Sequence, residues 1–126
     1  MPTLLEEARR GHVTEAMRQV AADEQVPVDA LRERIAAGRV VIPQNAKRRF
    51  HPMGIGEGLR TKINANICTS ASHFSLEEEL VKLGVCLEAG ADSVMDLSTG
   101  GDLRAIRAAL LEACTVMMGA VPIYYL

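Results

Sequence analysis

The chain has few cysteines, and their spacing gives no metal site that sequence alone can identify. Cys68, Cys86 and Cys114 are the only cysteines among 126 residues, and the chain has no CxxC pair and no close pair of histidines. Neither a zinc site nor an iron–sulfur site can be assembled from this local spacing. Because an odd and sparse cysteine count is typical of a reducing compartment, we expect a cytoplasmic protein. Cys68 is open to two interpretations, inert packing or chemistry, and packing is favoured because nothing close in sequence would lower its pKa.

The chain also lacks a strong charge imbalance and a long apolar run. Its formal net charge is −2, and its basic residues are dispersed apart from a cluster at residues 47–49, which we interpret as a solvated loop. We therefore expect neither nucleic acid nor an anionic membrane as a partner. No apolar run approaches the length of a membrane span, and residues 1–3 lead into a charged helix instead of a signal peptide.

The residues that are present predict a globular protein with an N-terminal helical region. The chain is 48% hydrophobic and 24% charged, a composition typical of folded domains. Residues 1–59 are predicted to form three short helices capped by Thr3, Thr14 and Asp29, a strand at 40–42 and a connector over 43–59. Within the connector, the glycine-rich residues 54–58 either make a tight turn or hold a phosphate, and the turn is favoured because a strand follows instead of a helix.

Residues 60–126 predict a strand, helix, strand, helix and strand in that order. The strands are expected at 62–67, 93–98 and 116–124, and the intervening segments carry leucine and isoleucine at helical spacing, namely Leu76, Leu80, Leu83 and Leu87, then Leu103, Ile106 and Leu110. Parallel neighbouring strands need a connection of about a dozen residues or more, which these helices provide. We therefore predict an α/β fold in which 60–126 form a βαβαβ unit with right-handed crossovers.

Three side chains recur at equal steps near the predicted strand ends. Asn66, Met95 and Tyr124 are each 29 residues apart. Because parallel strands present their carboxyl ends to the ligand in α/β folds, we expect these residues to lie on one rim of the sheet. Asn64 shares a face with Asn66, and amides in a strand need partners, which either a polar network or a ligand pocket supplies. Asp96 is either a general base or, as its spacing favours, an acceptor for nearby loops.

Five segments of the chain carry a resemblance to a known family. They are EARRG (7–11), GRVVIP (38–43), NANI (64–67), VMDLSTGGDL (94–103) and VPIY (121–124). These segments resemble the signatures of the phosphomethylpyrimidine synthase family, which rearranges aminoimidazole ribotide in thiamine biosynthesis. The 5-hydroxybenzimidazole synthases use the same ribotide and have similar early motifs, so they remain an alternative. A non-catalytic binding or assembly module is a third possibility.

The resemblance implies a radical S-adenosylmethionine enzyme with a TIM-type barrel. It further implies S-adenosylmethionine, a 4Fe-4S cluster on a C-terminal cysteine motif, and a divalent metal such as zinc on histidines as cofactors of the full-length family. Asn66, Met95 and Tyr124 match family positions that line the ribotide pocket, whereas Cys68 stands where the family commonly has glycine. Three strands cannot close a barrel, so we expect an N-terminal fragment that binds no cluster or metal, is inactive alone and forms a homo-oligomer. No catalytic residue is identified.

Overall fold

The fold was obtained as a computed structural model, which describes residues 2–125. The chain divides after Thr61 into two compact units. Each unit has a hydrophobic core of its own. We call them the N-terminal unit and the C-terminal unit.

Three short helices form most of the N-terminal unit. They are α1 (Leu4–Arg9), α2 (Glu15–Glu24) and α3 (Val28–Ala36). The side chains of Thr3 and Thr14 accept hydrogen bonds from the first turns of α1 and α2, as predicted. The prediction that Asp29 caps α3 is wrong, because the helix begins at Val28 and Pro27 stands at its N-cap without a side-chain hydrogen bond. A proline there already has a fixed φ close to that of a helix.

The segment predicted as a connector contains a short strand. β1 (Val40–Val41) pairs with β2 (Ile55–Gly56) in the antiparallel direction. Gly56 has a φ of 143°, and a β-carbon there would lie 2.2 Å from the carbonyl oxygen of Arg39. Only glycine permits this close approach of two backbones. The glycine-rich residues 54–58 therefore allow β1 and β2 to pack closely, as well as allowing the chain to turn.

The C-terminal unit alternates strands and helices as predicted. It contains β3 (Asn64–Ile67), α4 (Leu76–Glu88), β4 (Ser93–Asp96), α5 (Leu103–Ala113) and β5 (Met117–Ala120). The strands form a three-stranded parallel sheet in the order β3-β4-β5. The predicted α/β class and the parallel pairing of these three strands are therefore confirmed.

Both helices of this unit pack on the same face of the sheet. Ile67 and Val94 point to that face and join a core with residues from both helices, namely Leu83, Ile106, Leu110 and Cys114. Leu76 was predicted to belong to the apolar stripe of α4, but it is exposed because it lies at the first position of the helix, beyond the edge of the core. Within residues 2–125, no helix is long and apolar enough to cross a membrane.

The third strand is shorter than predicted. Instead of reaching Tyr124, β5 ends at Ala120, and a 3-10 helix follows over Pro122–Tyr125. The backbone N–H of Tyr124 donates to the carbonyl oxygen of Val121 at 3.2 Å, which closes this turn. Pro122 has no N–H to donate to a neighbouring strand and has a fixed φ, so the strand cannot continue through it.

Candidate ligand-binding face

One face of the C-terminal sheet is polar and carries no helix of this unit. Strand pairing places Asn64 beside Ser93 and Asn66 beside Met95, and β5 adds Gly119 beside Met95. Neighbours in a parallel sheet that pair in register point to the same side. Met117, the register partner of Ser93 on β5, lies on the same side. We call the other five residues the polar face. Asn64 and Asn66 are exposed, Met95 is half-buried and Ser93 is buried.

A chain of hydrogen bonds connects three side chains of the polar face. The Ser93 hydroxyl donates to Asn64 Oδ1 at 2.8 Å, and Asn64 Nδ2 donates to Asn66 Oδ1 at 2.9 Å. The expectation that Asn64 and Asn66 share a face is confirmed. The two asparagines do form a polar network, one of the two alternatives that the sequence left open.

Met95 lies over Gly119 on the neighbouring strand. A β-carbon at Gly119 would be 3.0 Å from both Sδ and Cε of Met95. This distance is shorter than ordinary van der Waals contact, so the missing side chain at 119 provides the space that the thioether occupies. Met95 therefore keeps its place beside Asn66 because its neighbour on β5 is a glycine.

Tyr124 lies beyond the carboxyl end of β5, in the 3-10 helix, and is partly exposed. It follows the strand instead of standing within it, so the register partner of Met95 is Gly119 and not Tyr124. The equal step of 29 residues thus corresponds to direct strand pairing for Asn66 and Met95 only.

Thr69 joins the two loops that leave the carboxyl ends of β3 and β4. Its backbone N–H donates to Ser98 Oγ at 3.0 Å, and its hydroxyl donates to the carbonyl oxygen of Gly100 at 2.6 Å. Its carbonyl oxygen accepts from the backbone N–H of Thr99 at 3.0 Å. A β-carbon on Gly100 would lie 2.0 Å from the carbonyl oxygen of Ser70, so the loops touch at that point. We call this cluster the Thr69 junction.

Asp96 supports the same loop from the opposite face of the sheet. Its Oδ1 accepts from the backbone N–H of Ser98 at 3.0 Å, and its Oδ2 accepts from Arg107 Nε of α5 at 3.0 Å. Asp96 is 1% exposed, so a carboxylate at this position needs a charged partner. The interpretation of Asp96 as an acceptor for a nearby loop is confirmed.

A second buried carboxylate was not predicted from the sequence. Glu79 of α4 is 1% exposed, and its Oε1 accepts a short hydrogen bond from Lys82 Nζ. Its Oε2 is buried and has no hydrogen-bond partner in the part of the chain that the structure describes. That bond to Glu79 raises the pKa of Lys82, and the ammonium also donates to the carbonyl oxygen of Cys68 at 3.0 Å. Cys68 itself is exposed, so the interpretation of it as a packing residue is wrong.

The donor groups of the described residues do not match a cluster or metal site. Within residues 2–125, no three side chains of histidine, cysteine, aspartate or glutamate come together in a group that would hold a metal ion. Cys86 lies half-buried in α4, and Cys114 is buried after α5. An iron–sulfur cluster needs several thiolates within reach of one another, and the described residues bring no three such donors together.

The fold and the polar face together define an α/β protein of consecutive βα units, with hydrogen-bonding side chains on the sheet face opposite the helices. The chain belongs to the Radical SAM ThiC family, whose model matches residues 3–126. The resemblance seen in the sequence segments is thereby confirmed.

Over the aligned region, about half of the residues of this chain are identical to those of curated relatives. It is 52% identical over 122 residues to the phosphomethylpyrimidine synthase of Thermodesulfovibrio yellowstonii, covering 97% of this chain and 29% of that protein. It is 52% identical over 124 residues to a phosphomethylpyrimidine synthase of Thermus thermophilus, covering 97% and 28%. It is 53% identical over 123 residues to that of Moorella thermoacetica, also covering 97% and 28%. The chain thus spans less than a third of the length of these relatives.

Proposed function

We propose that this chain forms one side of the aminoimidazole ribotide pocket of a phosphomethylpyrimidine synthase, a cytoplasmic enzyme of thiamine biosynthesis. Asn66, Met95 and Tyr124 line that side in this proposal. The observation that supports it most is the in-register pairing of Asn66 and Met95 on the sheet face that carries no helix of the C-terminal unit. The identity of about one half to three synthases supports the same assignment.

The chemistry of the three side chains suits a planar ring attached to a sugar phosphate. The amide of Asn66 offers hydrogen bonds, and the polarisable thioether of Met95 makes favourable contacts with flat rings. Tyr124 combines an aromatic face with a hydroxyl group. One residue thus fixes orientation by hydrogen bonding, and the other two supply contact area.

The remaining parts of the reaction are assigned to sequence outside this chain. When bound, S-adenosylmethionine and a 4Fe-4S cluster supply the radical that starts the rearrangement. Within residues 2–125 no three donor side chains come together to hold a cluster or zinc, so we assign those sites, together with closure of a TIM-type barrel, to the part of the longer relatives that this chain does not cover.

In this assignment, β5 is an edge strand that can pair with a strand of another molecule. β5 pairs with β4 on one side and with no other strand among the described residues. An unpaired strand edge is a template for another strand. We therefore propose that the isolated chain forms homo-oligomers, which sedimentation at several concentrations would test. A concentration-independent monomer would contradict this part of the proposal.

The pocket is tested by ribotide titration of the chain carrying 13C-methyl-labelled methionine. We expect ribotide to shift the methyl resonance of Met95, and expect N66A to weaken binding. N45A is the matched control, because Asn45 lies in the N-terminal unit and bonds only to the N–H of Lys47. Absence of any ribotide-dependent shift in the unsubstituted chain would contradict the pocket.

Turnover is tested separately and anaerobically with ribotide, S-adenosylmethionine, iron and sulfide. We expect no 5′-deoxyadenosine from the chain alone, because the described residues bring no set of thiolates together. Formation of that product by the isolated chain would contradict the assignment of the cluster site to other sequence.

A further inference from the structure

The hydrogen bonds of the polar face all run in one direction. The Ser93 hydroxyl donates to the carbonyl end of the Asn64 amide, and the nitrogen of that amide donates to Asn66 Oδ1. A hydroxyl has one proton to donate, and a side-chain amide donates only from its nitrogen. The chain of bonds therefore ends on the oxygen of Asn66. Among the described residues, the amide nitrogen of Asn66 has no acceptor within the protein.

We propose that Asn64 and Ser93 are positioning residues that fix the Asn66 amide with its NH2 group directed at the ligand. Asn66 then acts as a hydrogen-bond donor, and the ligand atom that it recognises is an acceptor, either a ring nitrogen or an oxygen of the sugar phosphate. The inference rests on the proposed function, because it takes Asn66 to contact the ligand. A site that donates to a ligand acceptor discriminates against analogues that lack it.

An exposed asparagine cannot set this orientation alone. Its oxygen and nitrogen ends have nearly the same shape, and rotation by half a turn exchanges a donor for an acceptor. The strand register removes this freedom, because Asn64 pairs with Ser93 across β3 and β4. Ser93 is 4% exposed, so its hydroxyl is shielded from water and needs a protein partner. We call the chain of hydrogen bonds from Ser93 through Asn64 to Asn66 the relay. Its buried end, the Ser93 hydroxyl, therefore holds the orientation of its exposed end, the Asn66 amide.

The start of the same two strands is also held. Asp92 Oδ2 accepts from the backbone N–H of Ile63 at 2.7 Å, and the N–H of Ser93 donates to the carbonyl oxygen of Ile63 at 3.2 Å. These bonds keep Ser93 in register with β3 immediately below the relay. Because the backbone is fixed on both strands, replacing Asn64 changes which groups donate and which accept, while the side chains stay in the same positions.

Two substitutions separate the roles of the relay. In N64D the carboxylate can only accept, so it turns the Asn66 NH2 group towards itself and leaves the Asn66 oxygen facing the ligand. S93A removes the buried end of the relay and leaves both amides free to rotate. N45D is the control, because Asn45 Oδ1 accepts from the N–H of Lys47 at 2.8 Å and an aspartate accepts equally well.

The first measurement uses the 15N-labelled chain without ligand and follows exchange of the Asn66 side-chain NH2 with water. We expect rapid exchange in the unsubstituted chain and in N45D. In N64D one proton should exchange more slowly by about tenfold or more, because it enters a charge-assisted hydrogen bond. Equal exchange in the unsubstituted chain and N64D would overturn the inference. If S93A fails to fold, N64A provides the variant that abolishes the relay.

The second measurement is titration of the same variants with ribotide. We expect N64D to bind about tenfold or more weakly than the unsubstituted chain and N45D, with S93A between them. Titration of the uncharged variant N64A with ribose 5-phosphate shows whether the acceptor belongs to the sugar phosphate, because N64A then weakens its binding also without adding a charge that repels the phosphate. Equal binding by all variants would overturn the inference and leave the proposed function intact. If neither the unsubstituted chain nor any variant bound ribotide, the proposed function would be contradicted. The exchange measurement would still show whether the relay orients the Asn66 amide.

Discussion

Asn66 on β3 and Met95 on β4 are register partners in a parallel sheet, and they lie on the face opposite the hydrophobic core. This pairing places an amide and a thioether side by side at the carboxyl ends of two strands. As long as the register of the two strands is fixed, these two side chains remain neighbours.

The space at Gly119 is expected to control the position of Met95. In G119A the new methyl group pushes the flexible thioether away from β5 and towards the ligand side of the face. Because methionine has several rotatable bonds, the free energy of unfolding should change by less than about 1 kcal/mol. The Met95 methyl resonance should nevertheless move, and ribotide affinity should fall.

A matched glycine serves as the control for G119A. Nothing lies within 4 Å of a β-carbon at Gly84, which is inside α4. G84A should therefore stabilise the protein by up to about 1 kcal/mol through helix propensity and leave the Met95 methyl resonance in place. An unmoved Met95 methyl in G119A would show that Gly119 does not set the position of that side chain.

The Thr69 junction is expected to stabilise both loops through one hydroxyl. T69V keeps the shape of the side chain but leaves the buried carbonyl oxygen of Gly100 without its donor at 2.6 Å. The cost should be about 1–3 kcal/mol in urea unfolding, with faster amide exchange at Thr99 and Gly100. T99V is the control, since Thr99 is exposed and its hydroxyl bond to Thr69 is long at 3.4 Å. Equal effects of the two changes would contradict a special role for Thr69.

The buried carboxylate of Glu79 should make Lys82 important for stability. K82M leaves that carboxylate buried without its cation, and we expect a loss of about 1–3 kcal/mol in the free energy of unfolding. The double variant E79Q/K82M should recover part of it, whereas E77Q, exposed in the first turn of α4, should have little effect. K82M with full stability would show that the ion pair with Glu79 does not contribute to stability.

The same pair gives a pH dependence at high pH. Because the hydrogen bond to Glu79 raises the pKa of Lys82 in the folded state, its contribution is complete below the unfolded pKa of about 10.4. The contribution is lost as the pH rises through the higher folded pKa. K82M should therefore remove part of the change in stability observed above about pH 10.4.

In the N-terminal unit, His51 is expected to set the acidity of Asp23. The hydrogen bond between His51 Nε2 and Asp23 Oδ2, at 2.5 Å, lowers the pKa of this carboxyl, and Gln19 contributes less. The resulting stability is present above the unfolded pKa of about 3.9 and is lost as the pH falls through the lower folded pKa. Since both groups are largely exposed, the contribution should not exceed about 1 kcal/mol.

This prediction is measured by following the Asp23 carboxyl carbon through an acid titration. H51Q should raise the pKa of Asp23 towards that of an ordinary aspartate, and Q19A should raise it less. A larger shift in Q19A than in H51Q would show that Gln19, and not His51, is the main cause of the lowered pKa of Asp23.

Much of the C-terminal unit could be predicted because its local signals agree with one another. The apolar spacing of α4 and α5 and the repeated strand pattern all require a parallel sheet with helices on one face. The end of β5 could not be predicted from spacing, because the step of 29 residues reached Tyr124 across Pro122, where a strand cannot continue. The proline itself was the available signal.

The candidate site was only partly visible in the sequence. Asn64 and Asn66 stood out as amides in a strand, but Ser93 did not, because a serine at the start of a strand is common and its partner is 29 residues away. The sequence did contain a signal for Ser93, because Asn64 and Ser93 are separated by the same step as Asn66 and Met95. Glu79 was missed because a glutamate in the first turn of a helix is normally exposed and favourable there.

In the proposed assignment, one face of the C-terminal sheet provides stability and the other provides recognition. The residues that hold the unit together, such as Val94 and Leu110, face the helices, while Asn64, Asn66 and Met95 face away from them. Exchanges on the second group leave the first undisturbed, so the chemistry offered to a ligand can be altered without repacking the interior. A library restricted to these three positions should therefore yield mostly folded proteins that differ in what they bind.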